Sequence, residues 1–134
     1  MKVMMVFTML LFAGEAGTVT AQNPVPNGMW GGEGIELIVT AKGAKIDYGC
    51  DSGTVDERLR PDSRGRFSAR GTHAFGRGGP RQPGDPTPVP HEARYEGVRK
   101  GDTLELTVLL PDLKRNLGGF TLHLGRRPTL ERCG

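Results

Sequence analysis

The chain is poor in aromatic residues: 134 residues carry one tryptophan, two tyrosines and five phenylalanines. With so few rings, the interior must be built mainly from aliphatic side chains, and each ring can be followed individually. Cysteine is scarcer still, with two, Cys50 and Cys133. Neither belongs to a C-x-x-C pair or a clustered ligand set, which argues against a dithiol redox centre or a structural zinc site. No apolar stretch reaches the roughly 20 residues that a membrane-spanning helix needs. Helix-period patterning is missing after residue 21, and no serine sits in a nucleophile-elbow setting, which leaves nucleophilic catalysis without a candidate. Gly76-Arg77-Gly78-Gly79-Pro80-Arg81 has the glycines of a phosphate-cradling loop. A proline-rich segment follows it where a helix would have to begin, so no nucleotide site is expected.

What is present begins with an export signal. Lys2 precedes an apolar run over residues 3–13, and Val19-Thr20-Ala21 offers small residues at the cleavage positions. Residues 1–21 therefore read as a secretory signal peptide and residues 22–134 as a single domain, periplasmic or secreted, with no membrane span after cleavage. In an oxidising compartment the two remaining cysteines are expected to pair, closing most of the mature chain. The net charge is +3. That mild basicity is compatible with an anionic partner without demanding one.

The pattern that organises the rest is alternation. Ile35, Leu37, Val39 and Ala41 alternate with Glu36, Thr40 and Lys42, and after a break at Gly43-Ala44, Ile46, Tyr48 and Cys50 alternate with Lys45, Asp47 and Gly49. Period-two alternation with a two-residue connection predicts a tight hairpin. Asp51-Ser52-Gly53 then predicts a turn, residues 54–60 a third strand around Val55 and Leu59, and residues 66–75 a fourth with Phe67, Ala69, Gly71, His73 and Phe75 inward. Residues 76–90 form a long loop in which nine of fifteen residues are Gly or Pro. Strands follow at 92–98, 103–110 and from 120. Residues 111–119 read as a polar loop, and 129–133 as a possible closing strand. Residues 22–34 read as a Pro/Gly-rich lead-in whose Trp30 plugs one end of the fold, with an exposed stacking platform for a sugar or base as the functional alternative. The expected architecture is all-β: a small antiparallel up-and-down barrel of 7–8 strands, or alternatively a β-sandwich, with one disulfide joining the second and last strands.

Several constellations bear on function. Among the histidines, His73 and His123 are weak metal candidates, since they and His91 lie on separate segments; no metal or other cofactor is expected. Burial of His73 beside Phe67 and Phe75 would favour a neutral, hydrogen-bonded ring. Glu57 and Glu92 are the carboxylates worth checking as a pair. Arginine is the dense feature. Arg58, Arg60, Arg64, Arg66, Arg70, Arg77 and Arg81 are accompanied in that interval by one acid, Asp62. Alternation puts Arg58, Arg60, Arg66 and Arg70 on the outward face of adjacent strands, a basic stripe that attracts polyanions by releasing their counterions. The bland alternative is a strand face kept from edge pairing by its charge.

Trp30-Gly31-Gly32, Tyr48-x-Cys50-Asp51-x-Gly53, Gly65-x-Phe67, Ala93-x-Tyr95-x-Gly97 and Asp102-x-Leu104-x-Leu106 together resemble small exported bacterial β-proteins of unassigned function. The shorter piece Tyr48-Gly49-Cys50-Asp51-Ser52-Gly53 resembles the strand and turn bearing the first cysteine in the periplasmic inhibitors of C-type lysozyme. That resemblance implies a disulfide-linked barrel inserting a loop into a hydrolase cleft. The Ser-Gly-x-x-Tyr segment such a loop would carry has no counterpart here. The expected function is a non-catalytic, monomeric binding protein with an arginine-rich face for an anionic envelope polymer or protein. The alternative is an inhibitor of a lysozyme-like hydrolase acting by protein–protein contact.

Overall fold

A computed structural model describes residues 23–76 and 82–133. The expected signal peptide, Arg77 and Arg81 lie outside the described residues. Eight strands follow one another around a closed antiparallel barrel. They are β1 (Gly28–Gly32), β2 (Ile35–Thr40), β3 (Gly43–Asp47), β4 (Ser52–Val55), β5 (Arg66–Ala74), β6 (His91–Lys100), β7 (Thr103–Leu110) and β8 (Arg115–Leu124). Each strand pairs with the next, and β8 returns to β1. The fold is the barrel, and the sandwich is set aside.

Alternation sorts the side chains as the pleat requires. Ile35, Leu37, Val39, Ile46, Val55, Phe67, Ala69, Ala93, Tyr95, Leu104, Leu106, Val108 and Leu122 are all buried in one cluster. Register joins them in layers, Leu37 opposite Ile46, Tyr95 opposite Val108, and Leu104 opposite Leu122. Trp30 is wholly buried, and its Nε1–H donates to Pro26 O at 3.0 Å. Val25, also buried, donates its N–H to Leu59 O, so the lead-in closes the barrel end at which β1 begins.

Five boundaries differ from expectation, each for an identifiable reason. The first hairpin turns at Ala41-Lys42 instead of Gly43-Ala44, because Thr40 pairs with Gly43. Gly43 is needed elsewhere: a Cβ there would lie 2.0 Å from Val55 O, so glycine permits the close approach of β3 to the chain leaving β4. The lead-in contains β1, which its glycines concealed. The third strand stops at Val55 and does not reach Arg60. There the Glu57 Oε1 takes the Arg70 N–H at 2.7 Å, replacing the next backbone acceptor and ending the ladder. β8 starts at Arg115, not at residue 120, with a register shift opposite Thr107 and Leu109 that accommodates Gly118 and Gly119.

The fifth difference concerns closure. β1 and β8 form the final seam, and residues 129–133 form no strand; Thr129 makes only an isolated parallel bridge to Glu33. Cys50 does pair with Cys133, across a separation of 83 residues. The bond joins the β3–β4 connection to the tail after β8, rather than one strand to another. The tail runs over Gly31, where a Cβ would meet Arg126 O at 2.0 Å, and past Gly49, where one would meet Glu131 O at 2.1 Å. The disulfide thus straps the tail across the barrel end opposite the one closed by the lead-in.

Candidate functional site

Two surfaces emerge, one from the expected arginines and one that the sequence did not announce. Arg58, Arg60, Arg64, Arg66 and Arg70 are all exposed. Arg66 and Arg70 point outward from β5, as alternation requires. Arg58 and Arg60 do not sit on an adjacent strand but on the irregular connection between β4 and β5, so the expected straight stripe becomes a bent patch. Among the described residues, none of these five guanidiniums forms an ion pair or hydrogen bond.

The acids that fold against the patch are engaged by other donors. Asp62 Oδ1 accepts the backbone N–H groups of Arg66 and Arg64 at 2.9 and 2.8 Å, and these bonds hold its carboxyl below the ordinary carboxylate range. Asp56 Oδ1 accepts from the Thr54 hydroxyl, and Glu57 caps the Arg70 N–H. The structure also brings Glu57 and Glu92 to one shallow groove, with Asp56 and Arg70. On the other flank, Arg66 shares an open groove with Asp62, Glu96 and Glu105. The patch is therefore basic but bordered by carboxylates contributed by β6 and β7, which a count along residues 58–81 alone does not reveal.

The second surface lies at the disulfide end. Rings from four segments run in a continuous chain. Phe120 and Tyr48 are 5.7 Å apart between centroids, Tyr48 and His73 4.9 Å, His73 and Phe75 4.8 Å, and Phe75 and His91 5.6 Å. The Arg115 guanidinium lies 5.6 Å from the Phe75 centroid. Both histidines in this chain of rings have a carboxylate: His73 Nε2 and Asp51 Oδ2 are 3.2 Å apart, and His91 Nδ1 and Asp112 Oδ2 are 3.1 Å apart. Asp51 Oδ1 also accepts the Gly76 N–H at 2.9 Å, so one aspartate beside the disulfide fastens the base of the long loop.

An aspartate–histidine pair can orient an imidazole for proton transfer, but the ring of the Asp51–His73 pair is closed off from solvent. His73 is 1% exposed, and its Nδ1 has no partner. Reach to a substrate is a condition for a general base, and burial removes it. Nor do the two weak metal candidates meet. His73 stands opposite His91, where β6 begins, whereas His123 stands opposite Thr103, where β7 begins, and these are opposite barrel ends. No group of three or more His, Cys, Asp or Glu suited to a metal occurs among the described residues.

The two tyrosines make the interior sensitive to alkali. Tyr95 Oη donates to Thr72 O at 2.5 Å, and the ring fits because Gly53 and Gly71 leave it space; a Cβ on Gly53 would lie 2.3 Å from that hydroxyl. Burial pushes the Tyr95 phenol up to about 12. Burial, and secondarily the neighbouring Tyr95, push Tyr48 higher still, and its hydroxyl has no partner of good geometry. An unfolded phenol titrates near ~10. Both phenols therefore stabilise the fold fully below pH ~10, and that stability is lost as pH rises toward the folded values, at up to about 1.4 kcal/mol per pH unit for each. Since these are the only tyrosines, phenolate absorbance should appear only together with loss of strand circular dichroism. Phenolate growth centred near pH ~10 with the strand signal intact would contradict the burial.

Among the described residues no helix is long and apolar enough to cross a membrane. Compared with protein-family models, curated proteins and solved structures, this chain matches none of them.

Proposed function

We propose that this is an exported, non-catalytic binding protein whose arginine patch engages an anionic partner, such as an acidic envelope polymer or an acidic protein face. The observation that carries this reading is that five exposed guanidiniums, at 58, 60, 64, 66 and 70, form no ion pair or hydrogen bond among the described residues, although Asp62 attracts Arg66 and Arg64, while the nearby acids hold backbone and hydroxyl donors. Unpaired arginines present planar donor forks suited to phosphate, sulfate or carboxylate groups. A disulfide in the folded domain supports an oxidising compartment.

The test is retention on a heparin matrix along a salt gradient. The parent protein should be retained at low salt and released as ionic strength screens the contacts. An Arg58/Arg60/Arg66/Arg70→Ser variant should elute markedly earlier. A control with the same loss of charge, Lys114/Arg126/Arg127/Arg132→Ser, should stay closer to the parent. Equal elution of the two variants would reduce the effect to net charge and defeat the proposal.

A further inference from the structure

Closure at the β1–β8 seam is partial. β1 meets β8 only at Trp30↔Leu124, Gly31↔His123 and Gly32↔Leu122, and the chain then turns away through Glu33 into β2. β8 begins much earlier, at Arg115. Its residues 115–121 pair with β7 on one side, and among the described residues no strand covers the other.

Which backbone groups this leaves open follows from strand geometry. The Leu124 N–H donates to Asp102 O on the β7 side, at 2.9 Å, and the Gly125 N–H donates to Met29 O on the β1 side, at 2.8 Å. Successive residues of an antiparallel strand aim their amides at opposite neighbours. His123, Thr121 and Gly119 therefore face the β1 side, while Leu122 and Phe120 face β7. The Thr121 carbonyl abuts Gly32, where a Cβ would come within 2.1 Å of it. The Gly118 N–H is taken by Asn116 Oδ1 at 2.7 Å. That leaves the Thr121 N–H and both backbone groups of Gly119 without a strand partner among the described residues, beside a depression lined by Glu33, Gly119, Phe120 and Thr121.

We propose that this open edge takes up an extended segment of a partner protein as an added strand, and that the segment alternates apolar and basic residues. Main-chain pairing on an exposed edge is a general mode of peptide capture. Charge selects the partner. Glu33 is exposed and is the charged residue among those lining the depression, so a basic residue of the added strand is favoured beside it. The half-buried Phe120 supplies the apolar side of the groove. This surface is separate from the arginine patch.

The test uses a synthetic Val-Lys-Val-Lys-Val-Lys peptide, monitored by amide chemical shifts and calorimetry, with Val-Glu-Val-Glu-Val-Glu as its counterpart. The basic peptide should bind saturably and shift the amides of Glu33, Gly119 and Thr121, with affinity falling as salt rises. Gly119→Pro should keep the fold and weaken binding at least ~tenfold, because it removes one edge donor. The N–H that proline removes faces the uncovered side, and a Cβ there has room, its nearest atom being Leu106 O at 3.9 Å. Glu33→Lys, which leaves the backbone alone, should weaken binding similarly. Unchanged affinity in these variants, equal binding of the acidic peptide, or shifts confined to residues 58–70 would overturn the proposal. Concentration-dependent dimerisation abolished by Gly119→Pro would likewise overturn it, in favour of a second copy of the chain as the occupant.

Discussion

Replacing both cysteines with serine is expected to cost about 4 to 5 kcal/mol of stability, the chain-entropy estimate for a loop of this length. For a domain of this size that corresponds to a fall in Tm of roughly 20 °C. The loss should also be uneven. The bond between Cys50 and Cys133 ties down a tail that runs from the end of β8 along β1 to the β3–β4 connection, and β1 and β8 share only three residue pairs. Two backbone bonds, Thr129 N–H to Gly32 O at 3.1 Å and Gly34 N–H to Thr129 O at 2.7 Å, hold the tail there but do not anchor its last residues. Hydrogen exchange in the Cys50→Ser/Cys133→Ser variant should therefore accelerate first at residues 30–32 and 122–124, while the β6–β7 hairpin stays protected. A uniform rise in exchange would show that the strap acts only through the unfolded chain. An unchanged Tm would show that the tail is held without it.

Trp30→Ala is expected to cost about 3 to 5 kcal/mol, the range for emptying a fully buried large aromatic site. The residue is wholly buried and flanked in register by Leu37 and Leu124, so its removal leaves a void between three strands. Trp30→Phe should cost less, retaining a ring but losing the bond to Pro26 O, a contribution of about 1 kcal/mol. Because this is the only tryptophan, its emission reports directly on the lead-in. The folded protein should emit in the blue-shifted range of a buried indole and shift to the red on unfolding. Red-shifted emission from the native protein would instead favour the exposed stacking platform, and a small cost for Trp30→Ala would agree with it.

Tyr48, His73 and Phe75 were visible as inward positions on two predicted strands, and Asp51 as part of a turn. Their assembly into one chain of rings was not visible, because it depends on His91 and Phe120. His91 reaches His73 only through the β5–β6 register, set after the long Gly/Pro loop. Phe120 is brought against Tyr48 by closure of the barrel. The arginine patch shows the converse. Its exposure could be read from alternation along residues 66–75, but its borders could not. Glu92, Glu96 and Glu105 come from strands more than twenty residues away, and the positions of Arg58 and Arg60 depend on where Glu57 stops the β4 ladder. β1 and the first half of β8 were missed because glycine and asparagine weaken the strand pattern where the backbone must pass close to its neighbours.

By itself the chain determined that alternate side chains would be sorted inside and outside, that two sulfurs would link an early segment to the tail, and that arginines would crowd one stretch. These follow from chemistry local to each residue and from there being only two cysteines to join. Only the tertiary structure decided where the barrel closes, which carboxylates border the arginines, and which backbone groups on β8 stay unpaired. Those are matters of register between segments distant in sequence, and register is set by the packing of the whole interior rather than by any one strand.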